Sequence, residues 1–204
     1  MRGISAGSCL FLSMLAVAAA LTIGVGSASA ATVNLVPNPG FETGPCGFQG
    51  PIICDWFEFP GVTMTQDFSN PHSGLASMNL SGPPFEVDAS TSGSGFPGCR
   101  ITHPGPHAGS FWYRTRDFVA TVIVLTAHWW PSNNCSGAAP SGVIITNSPT
   151  TDGAWHQVTG TMFAPPGTGS VSFGIGEGCS IGCTAPLNVN FDDLVVLGHV
   201  RKGP

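Results

Sequence analysis

Two short stretches in the middle of the chain, Trp112-Tyr113-Arg114 and His128-Trp129-Trp130, combine flat aromatic rings with hydrogen-bonding side chains. Recognition of a sugar in water needs that mixture. Rings lie against the apolar faces of a pyranose, and polar side chains fix the hydroxyls around its edge. Trp112, Trp129, Trp130 and Arg114 are therefore the candidate carbohydrate-binding residues. The same rings can equally be half-buried core residues with one satisfied polar atom. A second group with chemical potential lies near the chain ends, where Glu42 follows Pro39-Gly40-Phe41 and Asp192-Asp193 follow Phe191. Brought together, these carboxylates would suit one hard cation; kept apart, they would only end strands and face water.

Catalytic constellations are harder to assemble. His103 and His107 have i, i+4 spacing, but Pro104, Gly105 and Pro106 forbid the helix that would align them, so both are expected as exposed loop histidines. No nucleophile elbow, phosphate loop or His-Glu-x-x-His run occurs. Asp55, Glu58, Asp67, Glu86, Asp88 and Glu177 could supply paired carboxylates for glycoside hydrolysis, yet spacing singles out no two of them. Arg100 and Arg114 could bracket sugar hydroxyls or form surface ion pairs with Asp117 or Glu86. The chain reads as non-enzymatic.

Strands must hold these side chains, because short apolar runs alternate with turn clusters and no helical period of useful length appears. Strands are expected at Val33–Val36, Val62–Gln66, Ala76–Leu80, Cys99–Thr102, Gly109–Arg114, Ala120–His128, Gly142–Thr146, Trp155–Met162, Ser170–Ile175 and Val189–Leu197. The run Thr121–Thr126 is apolar on both faces and should be central. Loops are expected at Gly82–Gly98 and Pro131–Ser141. Alternation puts Trp112 and Arg114 on one face, Phe111 and Tyr113 on the other, and only one of Trp129 and Trp130 on any given side. The two aromatic stretches should lie on neighbouring strands, separated by one turn at Arg116-Asp117. Phe111 and Trp56 are expected in the core, and Trp155 at a strand edge. The pattern is that of an all-β jelly-roll β-sandwich.

Residues 1–30 read as a signal peptide, with Arg2, an apolar run from Leu10 to Val25 and a small-x-small site at Ala28-Ser29-Ala30. Residues 31–204 then form a single secreted domain, with no membrane association after cleavage. Charged residues are only 8% of the chain and the net charge is −5, with no cationic cluster to attract nucleic acid. Of seven cysteines, Cys9 falls in the leader. Cys46, Cys54, Cys99, Cys135, Cys179 and Cys183 allow fifteen disulfide connectivities. Proximity favours Cys46–Cys54 and Cys179–Cys183, which leaves Cys99–Cys135.

Four segments, in order, resemble carbohydrate-binding modules of the CenC type, families four, nine, sixteen and twenty-two among them. They are Asn38-Pro39-Gly40-Phe41-Glu42, His72-Ser73-Gly74-Leu75, Trp155-His-Gln-Val-Thr-Gly-Thr161 with Ala164-Pro165-Pro166-Gly167, and Phe191-Asp192-Asp193-Leu194. The resemblance implies a galactose-binding-like fold, a polysaccharide partner, a monomer and one structural Ca2+. Gly40 and Gly74 would give that ion backbone carbonyls, and Glu42 and Asp192 carboxylates. Asp193 is the reserve ligand, because alternation turns only one of the pair inward. Pro39 replaces the glycine commoner at that place in the family. Two other functions stay open: an adhesive cell-surface module without a sugar site, and a small jelly-roll enzyme acting on glycans.

Overall fold

The computed structural model describes residues 31–46, 52–91, 98–117, 122–146, 148–179 and 183–199; the expected leader lies outside them. Their elements are all strands: β1 (Thr32–Asn34), β2 (Phe57–Glu58), β3 (Thr63–Asp67), β4 (Ser77–Gly82), β5 (Glu86–Ser90), β6 (Arg100–Ile101), β7 (Gly105–Thr115), β8 (Val122–Trp130), β9 (Ser141–Thr146), β10 (His156–Ala164), β11 (Ser170–Gly178) and β12 (Leu187–His199). They form two six-stranded sheets. The first runs β10-β7-β12-β4-β3, with β1 pairing β12, and the second runs β2-β5-β11-β8-β9, with β6 pairing β11. Every pairing is antiparallel.

Alternation explains most of the strands. Along β8 every second residue is buried, with Ile123, Leu125, Ala127 and Trp129 inward. Phe111 and Tyr113 of β7 and Val189 and Phe191 of β12 face them from the other sheet. Trp56 closes the core, edge-on to Phe41 at 5.5 Å, with its indole N–H donated to Pro37 O at 3.2 Å. Removing a ring as fully enclosed as Phe191 or Phe111 would cost about 3–5 kcal/mol.

Several expectations need correcting. β7 and β8 are not neighbours: the chain changes sheet after Thr115, so Trp112 and Trp130 lie on opposite outer faces. β5 lies inside an expected loop, because only Val87 and Ala89 carry its inward face and two small apolar residues make a faint signal. His107 is not an exposed loop residue. It is on β7 and 3% exposed, its ring nitrogens facing Leu197 O at 3.1 Å and His103 O at 3.0 Å. Pro104 and Gly105 do forbid a helix, but an extended strand satisfies them equally well. Arg100 pairs with Asp55 and Arg114 with Asp67. The disulfides are Cys46–Cys54, Cys99–Cys135 and Cys179–Cys183, as proximity favoured.

The two ends of the domain meet. Thr32 to Asn34 of β1 pair with His199 to Leu197 of β12. Between Asp192 and Val195, β12 bulges away from β7, with Asp193 at φ +48. The N-terminal turn docks into this bulge through Leu194 N–H to Pro39 O at 2.9 Å and Asn34 Nδ2 to Leu194 O at 2.8 Å.

Candidate functional site

The carboxylates from the two ends converge at that bulge. Glu42 accepts the backbone N–H of Leu75 at 3.0 Å, and Asp192 accepts those of His72 at 2.8 Å and Ser73 at 3.2 Å. Asp193 meets the His72 ring at 2.7 Å and accepts the Ser73 hydroxyl at 2.7 Å. Gly74, at φ +62, has no room for a side chain because the Glu42 carboxylate lies against it. A carbon added to Gly40 would stand 3.8 Å from both Asp192 Oδ1 and Asp193 Oδ1. The cluster thus joins the N-terminal turn, the His72–Ala76 turn and β12. Asp192 is fully buried, and burial, together with the neighbouring Asp193 charge, pushes its carboxyl up to about 6. Three acids against one histidine leave surplus negative charge, but the carboxylates already accept hydrogen bonds from the His72–Ala76 turn. Among the described residues the ligand atoms that lie within 4.8 Å of one another are those of Cys46, Cys54 and Asp55, of which the two cysteines form a disulfide.

Trp112 and Arg114 share the outer face of the first sheet, as alternation required. Trp112 stacks on His72, ring centroids 3.8 Å apart, and Trp155 meets the same histidine edge-on at 5.8 Å. The Trp155 indole donates to Asn70 O at 3.2 Å, and Arg114 lies 5.3 Å over its ring. Arg114 also donates to Asp67 at 3.0 Å and Asn190 at 3.1 Å, while Asn190 donates to Asp67 at 2.9 Å. Burial alone would raise Asp67, but hydrogen bonds from Ser69 and Asn190 and the Arg114 charge hold it below the ordinary carboxylate range. These polar groups answer one another. Beside them a cleft of about 430 Å³ is lined by Arg114, Thr115, Arg116, Asp117, Gly153, Asn188 and Asn190.

The outer face of the second sheet is built differently. In β11 the sequence Gly174-Ile-Gly-Glu-Gly178 sends Ile175 and Glu177 inward and leaves the outer side with hydrogen atoms only. A carbon on Gly176 would stand 2.7 Å from Val87 O, so the adjoining strand allows nothing larger there. The result is a groove floored by backbone. Phe59, Asp88 and Ser90 stand on one side of it, and Val124, Thr126 and His128 on the other. Burial, then the Glu86 charge, push Asp88 up to about 6. Burial lowers His128, whose Nδ1 lies 2.9 Å from the Ser141 hydroxyl. One step beyond His128 along the same side of β8 is Trp130, half-buried, its indole donating to Ser172 at 3.0 Å.

The four sugar-binding candidates are thus divided among three places. Trp112 and Arg114 lie together on one face, and Trp130 lies on the other, one step along β8 from the groove residue His128. Trp129 is corrected to a core residue, 1% exposed and stacked on His107 at 4.9 Å, because the alternation that turns Trp130 outward turns it inward. The glycine floor and Phe59 were missed. The floor had a visible signal in glycine at every second position; Phe59 had none, since it follows a strand of only two residues.

The architecture is that of carbohydrate-binding modules. At 15% identity and a TM-score of 0.56, the CBM22-1 xylan-binding domain of Paenibacillus barcinonensis Xyn10C aligns with 85% of this chain over 99% of its own length. The CBM22-2 domain of the same protein aligns with 78% of this chain over 97% of its own, at 14% identity and a TM-score of 0.51. An arabinose-bound α-L-arabinofuranosidase aligns with 80% of this chain at 16% identity and a TM-score of 0.58, but over only 26% of its own length. No protein-family model and no curated protein matches the sequence.

Proposed function

We propose that this protein is a secreted, non-catalytic carbohydrate-binding module that holds a neutral polysaccharide chain in the glycine-floored groove of the second sheet. The groove itself carries the reading. Its floor lets a sugar ring approach the backbone, Phe59 offers a ring, and Asp88, Ser90, Thr126 and His128 offer partners for hydroxyls; Trp130 lies one step along β8 from His128. Asp88 and Glu86 line it and, among the described residues, no Lys or Arg does, which disfavours acidic glycans. The xylan-binding domains of similar fold support this choice of ligand class, and the three disulfides suit an oxidising, extracellular setting.

Affinity electrophoresis against xylan, β-glucan and a uronic-acid polymer tests the proposal. Retardation is expected with a neutral polymer, and Gly174→Leu should abolish it. The atoms nearest a carbon on Gly174 are 3.8–3.9 Å away, so the leucine fills the groove without disturbing the sheet. Loss in Trp130→Ala should accompany it. Retention of binding in Gly174→Leu would move the site elsewhere.

In the same reading, Glu42 and Asp192, with the carbonyls of Gly40 and Gly74 and Asp193 in reserve, hold a structural Ca2+ that pins the two ends and takes no part in chemistry. The meeting of Glu42, Asp192 and Asp193 on the same His72–Ala76 turn supports it. Chelation should lower the melting temperature at pH 7, and Glu42→Gln should remove that sensitivity; a chelator-indifferent wild type refutes the ion.

A further inference from the structure

The glycine floor of the groove ends abruptly. Along β11 the outward positions are Ser170, Ser172, Gly174, Gly176 and Gly178. The two serines are fully buried, although they stand in the same row as the bare glycines. Two elements cover them. The Trp130 indole reaches over from β8 and donates to Ser172 Oγ at 3.0 Å. Beyond it, residues 131–135 lie on Ser170, whose hydroxyl donates to Ser132 O at 2.6 Å and accepts the N–H of Cys135 at 3.0 Å.

That loop spans the strand. It leaves β8 on one side of β11, and the Cys99–Cys135 disulfide fastens it to the residue before β6, which pairs with β11 on the other side. Gly169 lies under the same segment, where an added carbon would stand 2.9 Å from Pro131 O and 3.0 Å from Ser132 O. The described lining of the groove accordingly stops at Gly174 on β11, His128 on β8 and Ser90 on β5. His128 Nε2 lies 3.9 Å from the place of a carbon on Gly174, so the last open position has a polar atom over it. At the other end Gly178 and Val122 are partly exposed and Glu86 is exposed. Side chains of β5 and β8 wall both flanks, so a bound chain runs along β11 and not across it. Four residue steps from Gly174 to Gly178 give it about 13 Å, the length of a short oligosaccharide.

We propose that the groove binds the end of a neutral glycan chain and excludes its interior. The terminal sugar sits over Gly174 beside His128, against the wall made by Trp130 and the cross-linked loop, and the chain leaves past Gly178. An interior segment would have to pass through that wall, and such a clash is a means of discrimination. This rests on the groove being the glycan site, and narrows its ligand to chain ends and short oligosaccharides.

Calorimetric titration of the full chain with linear xylan and β-glucan fragments of increasing length tests the proposal. One protein should bind per glycan chain at every length, with affinity per mole of chain constant within about twofold once a fragment outreaches the groove. Gly174→Leu should abolish this binding. Bound protein that rises in proportion to chain length overturns the proposal and leaves the groove as the glycan site. Absence of binding to any neutral fragment, or binding that survives Gly174→Leu, overturns both. Borohydride reduction of the fragments identifies the terminus: loss of binding places the reducing-end ring over Gly174, and retention places the non-reducing end there, each in support of a terminal site.

Discussion

Asp67 and Asp88 occupy outer faces of opposite sheets, and their surroundings shift them in opposite directions. Asp67 is held below the ordinary range by Ser69, Asn190 and Arg114. Asp88 is pushed up to about 6 by burial and by Glu86. Asp67 belongs to a surface whose polar groups are matched: Arg114, Asn190 and Asp67 close on one another, and Trp112 is covered by His72. Asp88 borders a surface stripped to backbone, where the partner of its carboxyl is a second acid, Glu86, rather than a cation or an amide. A ligand entering the first face must break existing bonds, whereas one entering the second supplies what is missing. In the proposed function it is therefore the second face, with its bare backbone, that receives the ligand.

The largest test of this contrast is Trp112→Ala. If the first face is scaffold, the substitution should cost about 2–3 kcal/mol of stability through lost packing on His72, read by urea denaturation. Glycan affinity should stay within about twofold of the wild type. A fall in affinity with little change in stability would invert the assignment of the two faces.

A smaller effect is expected in the pH dependence of melting. Asp67 has a depressed folded pKa, so its stabilisation is present above its unfolded value near 3.8 and is lost as pH falls through the folded one. Asp88 behaves the other way, its ionisation weakening the fold as pH rises from about 4 to about 6. Asp67→Asn should therefore flatten the acid limb. Asp88→Asn should raise the melting temperature at pH 7 by about 2 °C, a modest figure because solvent screens a half-exposed group. Shifts of the same sign in both variants would show that the two environments do not differ.

Much of the fold was legible because alternation is a local property. Ile123, Leu125, Ala127 and Trp129 announce their strand and its inward face without reference to anything else. The disulfides were legible because short separations leave few partners. Which sheet a strand joins is not local. Trp112-Tyr113-Arg114 and His128-Trp129-Trp130 are close in sequence but belong to different sheets, and nothing in the sequence of residues 116–121 dictates the change. The same limit explains Trp129: alternation separates it from Trp130 but cannot say which of them meets solvent. The junction of Glu42 with Asp192 and Asp193 came from a resemblance, because contacts across nearly the whole chain leave no trace in spacing.

The antiparallel pairing of Thr32 with His199 also fixes how the domain meets mechanical load. A pull applied at residues 32 and 199 opens β1 from β12 one residue pair at a time, the weakest direction for a ladder of hydrogen bonds. Three pairs are all that β1 offers before tension arrives at Asn34, whose side chain bonds Leu194 O and Val196 N–H, and then at Pro39 O. Resistance to stretching therefore begins behind the terminal strand, where the acidic junction grips the turn that follows it.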